Sequence, residues 1–157
     1  MRHSSLVPLS HDHHHGLALA LRCRRQALGQ LKPVGVKGLR ERAQEFREFF
    51  AENLVNHFRA EEEVLFPEIS ARIPESRDLV DLLVREHEQM RSAIRNLQEE
   101  IGLAKLVFDL GDLLEHHIRK EERELFPLFE ENVDLFDVEI VGERITNILG
   151  SVETSPG

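Results

Sequence analysis

Apolar residues recur at intervals of three and four along almost the whole chain, and no stretch alternates apolar and polar residues in steps of two. This spacing places the apolar side chains on one face of an α-helix. We therefore expect an all-α protein. Long amphipathic helices joined by short connections favour an antiparallel up-down four-helix bundle, and a short extra C-terminal helix is expected to cover one end or flank.

Prolines, glycines and capping residues mark the expected ends of these helices. The helices are expected from about Ser10 to Leu31, from about Gly38 to Pro67 or Pro74, from Ser76 or Asp78 to Gly102, along a fourth segment carrying Leu103 to Leu125, and at about 133–149, followed by a frayed tail at 150–157. Ile101 is the last apolar residue assigned to the buried face of the third helix.

Length and composition exclude several classes of protein. The 157 residues suit a single domain, 1–157, with a core at about 9–131. A net charge of −9 disfavours nucleic acid and anionic membranes as partners. The single cysteine, Cys23, excludes an intramolecular disulfide and is expected as a small buried hydrophobe. No apolar run reaches the roughly 20 residues that span a bilayer, so we expect a soluble, cytoplasmic protein.

An eleven-residue pattern occurs twice in the chain. HFRAEEEVLFP begins at His57 and recurs 60 positions later as HIRKEERELFP, which begins at His117. In each copy a glutamate, Glu61 or Glu121, stands four residues after the histidine, so both side chains lie on one face of a helix. That face is otherwise apolar, and burying a carboxylate without a partner costs several kcal/mol. A cation is therefore expected between the helices, and imidazole with carboxylate suits iron, manganese or zinc.

The alternative for a single such motif is a satisfied core histidine beside solvated glutamates. Two copies in register, both on apolar faces, make this alternative the weaker one. The remaining glutamates of the motif are expected to be mostly solvated; they are Glu62, Glu63, Glu122 and Glu124.

The other two helices are expected to supply further histidines. His87 shares an apolar face with Met90 and Ile94. The first helix offers a choice, since HDHHH places four histidines at positions 11, 13, 14 and 15. Because each residue turns a helix by about 100°, they cannot all face inward.

We choose His14, which has leucines three and seven residues later, as His87 has Met90 and Ile94. His13 is the alternate, because Asp12 before it mirrors Glu86 before His87. His11 and His15 are expected at the surface or in a supporting role, and a purification tag is the weaker explanation of the cluster.

These residues resemble the hemerythrin-like family of HHE cation-binding domains over about 9–131. The resemblance implies a four-helix bundle around two oxo- or hydroxo-bridged non-haem iron ions. The first-helix histidine and His57 would bind one ion, His87 and His117 would bind the other, and Glu61 and Glu121 would bridge them. Zinc or manganese could occupy the same ligands.

One departure from the family bears on function. Oxygen-carrying hemerythrins have a further histidine four residues after the third one, where this chain has Arg91. Four histidines and two glutamates instead resemble the iron- and oxygen-responsive members, which counts against simple reversible carriage of O₂. An open coordination position would admit O₂, peroxide or nitric oxide as a ligand.

Three functions remain open on the sequence. The first is a protein that binds, senses or scavenges iron, O₂ or nitric oxide, as a monomer or a homodimer, with no catalytic residues. The second is a di-iron oxidase or peroxidase, or a protein that repairs iron–sulfur clusters; it ranks lower because the ExxH motif of ferritin-like oxidases is absent. The third is a metal-free helical interaction module.

Overall fold

A computed structural model describes residues 1–98 and 101–151. In these ranges the protein is all-helical and contains no strand. The helices are α1, Val7–Ala27; α2, a continuous helix at 36–72; α3, Arg77–Asn96; α4, a continuous helix at 103–131; and α5, Val138–Leu149. Short 3₁₀ turns at Pro74–Ser76 and Val133–Leu135 precede α3 and α5.

The first helix is shorter at its C-terminus than the sequence predicts. It ends at Ala27 rather than near Leu31, because Gly29 adopts a left-handed conformation with φ of 74° and the Gly29 and Gln30 amides close the last turn. At its other end it begins at Val7 rather than Ser10. Pro8 lies in the first helical turn, where a missing N–H breaks no helical hydrogen bond.

The end of α2 agrees with the second of its two predicted positions, whereas the end of α3 differs from expectation. α2 continues through Pro67 and ends at Arg72, because Ile73 before Pro74 leaves the helical conformation. α3 ends at Asn96 instead of Gly102, and Ile101 is 92% exposed rather than on the buried face. The frayed tail predicted at 150–157 lies outside the described residues from position 152 onward.

α2 and α4 share a local irregularity at the repeated motif. Each helix widens into a π-helical turn that begins at the glutamate of the motif, at Glu61–Leu65 and at Glu121–Leu125. α2 has a further π-helical turn at Phe50–Leu54. Such turns often occur at functional sites.

Two apolar clusters form the core of the bundle. One gathers Leu9, Phe66 and Phe126 with their neighbours, and the other gathers Leu19, Phe58 and Leu114 with theirs. Cys23 lies in the second cluster, which confirms that it is a buried side chain, and burial raises the pKa of its thiol to about 12. A layer of polar side chains separates the two clusters.

α1 and α4 approach each other closely because small residues line their contact. A Cβ atom on Gly111 of α4 would lie 2.8 Å from the Ala20 carbonyl oxygen and 2.9 Å from Cβ of Cys23. Only glycine fits at this position without moving the backbone of α1. None of the helices described here is long and apolar enough to cross a bilayer.

Candidate metal centre

Six buried polar side chains form the layer between the apolar clusters. α1 and α3 contribute one imidazole each, and α2 and α4 contribute one imidazole and one carboxylate each. None of the six is more than 3% exposed; they are His13, His57, Glu61, His87, His117 and Glu121. Five of them are residues that the sequence analysis selected, and His13 is its alternate.

The Nε2 atoms of all four imidazoles point toward the two carboxylates. The Nε2–oxygen distances are 2.8 Å for His13 to Glu121, 3.1 Å for His87 to Glu61, and 3.5 Å for both His57 to Glu61 and His117 to Glu121. The carboxylates therefore lie at the centre of the layer and the imidazoles around them.

The donor atoms divide into two groups of four that share both glutamates. Within each group the donor atoms all lie within 4.8 Å of one another. The groups are His13, His57, Glu61 and Glu121, and Glu61, His87, His117 and Glu121. Each group can hold one metal ion, with two imidazoles from different helices and one oxygen from each carboxylate.

The carboxylate oxygens show that a cation fits here. Both oxygens of Glu61 and Oε2 of Glu121 are buried and have no hydrogen-bond partner among the described residues. A buried oxygen without a partner costs free energy, and a buried carboxylate normally pairs with a cation or binds a metal. Three such oxygens beside four imidazole nitrogens form a donor set that suits iron, manganese or zinc.

The structure corrects the choice between His13 and His14. His13 is 3% exposed and belongs to the layer, whereas His14 is exposed on the outside of α1. Large apolar neighbours were the wrong guide, because the face of α1 that packs on α4 carries Gly16 and Ala20. The leucine expected to accompany His14 at position 21 is 41% exposed.

The family of the chain follows from a comparison with models of known protein families. The model described as hemerythrin HHE cation binding domain matches residues 6–129. The chain belongs to this family. No curated protein and no solved structure gives a significant match to the chain. The hemerythrin-like domain thus has the cation-binding character that the paired His–Glu motif indicates.

The outer nitrogens of the four imidazoles are also held by carboxylates. Each Nδ1 atom lies within hydrogen-bond distance of a carboxylate oxygen on a neighbouring helix. The pairs are His13 with Glu122 at 2.6 Å, His57 with Asp12 at 3.0 Å, His87 with Glu62 at 2.5 Å, and His117 with Glu86 at 2.9 Å. Such a bond fixes the orientation of an imidazole and directs the lone pair of Nε2 toward a metal.

The four supporting carboxylates occupy two pairs of equivalent positions in the sequence, and each supports an imidazole of another helix. Glu62 and Glu122, each directly after a shared glutamate, support the imidazoles of α3 and α1. Asp12 and Glu86, each directly before an imidazole, support those of α2 and α4. Sequence reasoning missed this role, although the acidic residue at both equivalent positions is a signal that could have revealed it.

The expectation that Glu62 and Glu122 are solvated is therefore wrong. Their side chains are only 27% exposed, and each binds an imidazole and an arginine. Burial tends to raise the pKa of Glu122, but its hydrogen bonds to His13 and Ser10 lower it below the ordinary value. Glu63 and Glu124 are exposed, as predicted.

Arg91 lies at the position where oxygen-carrying hemerythrins have a further histidine, and it serves a different purpose in this hemerythrin-like domain. Its guanidinium donates to Glu62 at 3.0 Å and lies 5.5 Å from the centre of the Phe58 ring. Phe58 in turn stacks on His87 with 3.8 Å between ring centres. Arg91 therefore supports the partners of His87 and does not join the donor set.

Electrostatic coupling within the layer changes the proton affinity of its members. Burial lowers the pKa of His117, but attraction to the Glu121 carboxylate and the hydrogen bond to Glu86 outweigh it and raise the pKa to about 9. Burial likewise opposes charge on His57, yet Glu61 and Asp12 raise its pKa well above the usual value. Burial raises the pKa of Glu121, but His117 and further hydrogen bonds lower it well below 4.5. Protons on His57 and His117 thus balance the carboxylates until a metal replaces them.

Proposed function

We propose that this hemerythrin-like domain binds two iron ions between four antiparallel helices and uses them to bind, sense or scavenge iron, O₂ or nitric oxide. One observation carries the proposal: two imidazole pairs flank two shared carboxylates whose oxygens have no other partner. His13 and His57 would hold one ion. His87 and His117 would hold the other, and Glu61 and Glu121 would touch both.

The number of protein donors supports a ligand-binding role for such a centre. Each group offers four donor atoms, two nitrogens and two oxygens, which leaves coordination positions of an iron ion open. Iron bound in this way supplies a redox-active centre that can take O₂, peroxide or nitric oxide. The apolar clusters on both sides exclude bulk water from the imidazoles and carboxylates, which strengthens electrostatic interactions in the layer.

A small molecule could approach the layer from the side of His13. A surface cavity of about 310 Å³ is lined there by His13, Leu17, Glu122 and Arg2, among others. The equivalent position of Leu17 on α3 is Arg91, which covers Phe58 and binds Glu62. The two halves of the centre therefore differ in access, which favours binding of a small ligand beside His13.

Anaerobic loading with Fe(II) tests the proposal. The protein is expected to bind two iron ions per chain and, on exposure to air, to develop the near-ultraviolet absorption of an oxo-bridged di-iron centre. His57→Ala removes an imidazole from one donor group and is expected to lower the iron content to one ion and to remove the absorption. Glu121→Ala removes a carboxylate from both groups and is expected to abolish both signals. His116→Ala, which changes an exposed histidine next to His117, is expected to retain them. Binding of less than one iron per chain without the absorption would disprove the proposal.

The same preparation separates binding from catalysis. A protein that binds or senses O₂ is expected to consume about one equivalent per di-iron centre and then stop. Steady consumption of O₂ or peroxide over many turnovers would instead establish the oxidase or peroxidase alternative.

A further inference from the structure

Three histidines of the first helix are not part of the buried layer. His11, His14 and His15 are all exposed. The rings of His11 and His15 touch, with 4.9 Å between their centres and an angle of 82° between their planes. The structure gives neither of these two imidazoles a hydrogen bond or an ion pair within residues 1–98 and 101–151. The pair is therefore free to bind a ligand.

We propose that His11 and His15 form a second, surface metal site, which binds one late first-row divalent ion such as Ni²⁺, Cu²⁺ or Zn²⁺. Histidines four residues apart on a helix can ligate one metal from the same face. Metal–nitrogen bonds of about 2.0–2.1 Å require the two nitrogens to come within about 4 Å of each other. Rings already in contact reach that separation by small side-chain rotations, and exposed side chains rotate on the nanosecond scale or faster.

The pair has no counterpart on α3, the helix that corresponds to α1. When the sequences of α1 and α3 are aligned with His13 opposite His87, the supporting carboxylate Asp12 stands opposite the supporting carboxylate Glu86. It aligns His11 with Arg85 and His15 with Gln89. Since α3 supports its half of the layer without such a pair, His11 and His15 are not needed to build the buried centre.

The surroundings of the pair favour a cation. His11 lines a surface groove of about 440 Å³ together with Asp12 and Glu52, and the whole chain carries a net charge of −9. Negative charge around a site raises the local concentration of cations. Asp12 itself contacts His57, so His11 shares this groove with one supporting carboxylate of the buried layer.

The donor set determines which ions bind. In the described part of the chain, no third histidine, cysteine or carboxylate lies close enough to complete a three-donor group with the pair. Water would fill the remaining positions, so the ion is expected to exchange readily. Affinity for a given nitrogen site rises from Mn²⁺ and Fe²⁺ to Ni²⁺ and Cu²⁺. The surface site is therefore expected to prefer Ni²⁺, Cu²⁺ or Zn²⁺ to Fe²⁺.

Equilibrium dialysis with Ni²⁺ tests the proposal on the full chain. The unmodified protein is expected to bind one Ni²⁺ more than the double variant H11A/H15A, and either single variant is expected to bind this ion at least tenfold more weakly. His14→Ala is the matched control, because it removes an exposed histidine of the same helix outside the pair. Circular dichroism should show equal helix content in the unmodified protein and all four variants.

The difference in Ni²⁺ count between unmodified protein and double variant does not depend on the buried centre, so failure of the proposed di-iron function would leave this readout intact. Equal counts would overturn the surface site. An equal loss of Ni²⁺ affinity in His14→Ala and His11→Ala would overturn it as well, because the ion would then bind to the histidine cluster as a whole and not to the pair. Cu²⁺ electron paramagnetic resonance provides a second readout, with two coordinated imidazole nitrogens expected in the unmodified protein and one in each single variant.

Discussion

Every imidazole of the buried layer lies between two carboxylates, one inside and one outside. The inner carboxylate faces the Nε2 atom, and the outer carboxylate accepts or shares the proton of Nδ1. Hydrogen bonding at Nδ1 leaves Nε2 as the metal-binding nitrogen. Cations hold three of the four outer carboxylates, since Glu122 pairs with Arg2, Glu62 with Arg91, and Glu86 with Lys120.

Glu122→Gln tests this support of the imidazoles. The amide can still accept a hydrogen bond from His13 but carries no charge, so Nε2 of His13 becomes a weaker donor. We expect metal affinity to fall by about 10- to 100-fold, measured by competition with a chelator. Glu124→Gln removes a charge two residues further on at an exposed position and is expected to leave the affinity unchanged. Equal affinities for the two variants would contradict a supporting role for Glu122.

His13→Ala and His14→Ala test which histidine of the first helix belongs to the centre. His13→Ala removes one of two imidazoles from a donor group and is expected to lower the metal content from two ions to one. His14→Ala changes an exposed side chain and is expected to retain both ions. Metal analysis of the purified, loaded variants measures this difference. A lower metal content in His14→Ala than in His13→Ala would instead assign His14 to the centre.

At the level of the helices, much of the site could be predicted because the motif repeats. His57, Glu61, His117 and Glu121 stand on apolar faces with helical spacing, which points them inward. The π-helical turns at Glu61–Leu65 and Glu121–Leu125 could not be predicted, since these segments keep an ordinary helical pattern of apolar residues. The end of α1 was misplaced because the prediction used the Lys32-Pro33 segment as the stop, although Gly29 is a local signal for a left-handed helix end. The end of α3 was misplaced because the apolar spacing continues to Ile101 beyond the turn at 97–98.

The close contact of α1 with α4 is a second feature of how the helices pack. It places His13 beside Glu121 and depends on Gly111. Gly111→Ala would force the Cβ atom against the Ala20 carbonyl, and we expect a loss of about 1–3 kcal/mol in the free energy of unfolding. Chemical denaturation of the metal-free protein measures this loss. Gly150→Ala at the end of α5, where a Cβ would lie 3.4 Å from its nearest neighbour, is the control. Equal stability of the two variants would contradict the close packing.

The whole molecule is two related halves around one polar layer. The repeat of the eleven-residue pattern allowed the ligands of α2 and α4 to be predicted from sequence. It did not reveal that each half supports the imidazoles of the other, because Glu122 reaches α1 and Glu62 reaches α3 across the bundle. Contacts between segments more than 100 residues apart, such as Glu122 with His13, depend on how the helices are arranged in space.

The protonation of the layer gives the metal-free protein a characteristic pH dependence. The pKa of His117 is raised from 6.5 to about 9, so its stabilising contribution is complete below pH 6.5 and is lost as pH rises through 9. We expect the melting temperature of the metal-free protein to fall between pH 6.5 and 9.5. Metal binding should become tighter over the same range and release protons, because the ligands must be deprotonated.

Calorimetric titration in buffers of different ionisation enthalpy measures the protons released on metal binding. The exposed neighbour variant His116→Ala is expected to behave like the unmodified protein in both experiments. A melting temperature of the metal-free protein that stays constant or rises from pH 6.5 to 9.5 would contradict protonated imidazoles in the layer.

The proposed di-iron centre requires two metal ions to share Glu61 and Glu121 between two pairs of imidazoles. A crystal structure of the iron-loaded protein, with anomalous scattering recorded at the iron edge, measures this directly. We expect two anomalous peaks about 3–4 Å apart, one beside His13 and His57 and the other beside His87 and His117. A single peak, or peaks away from the two glutamates, would contradict a shared di-iron centre.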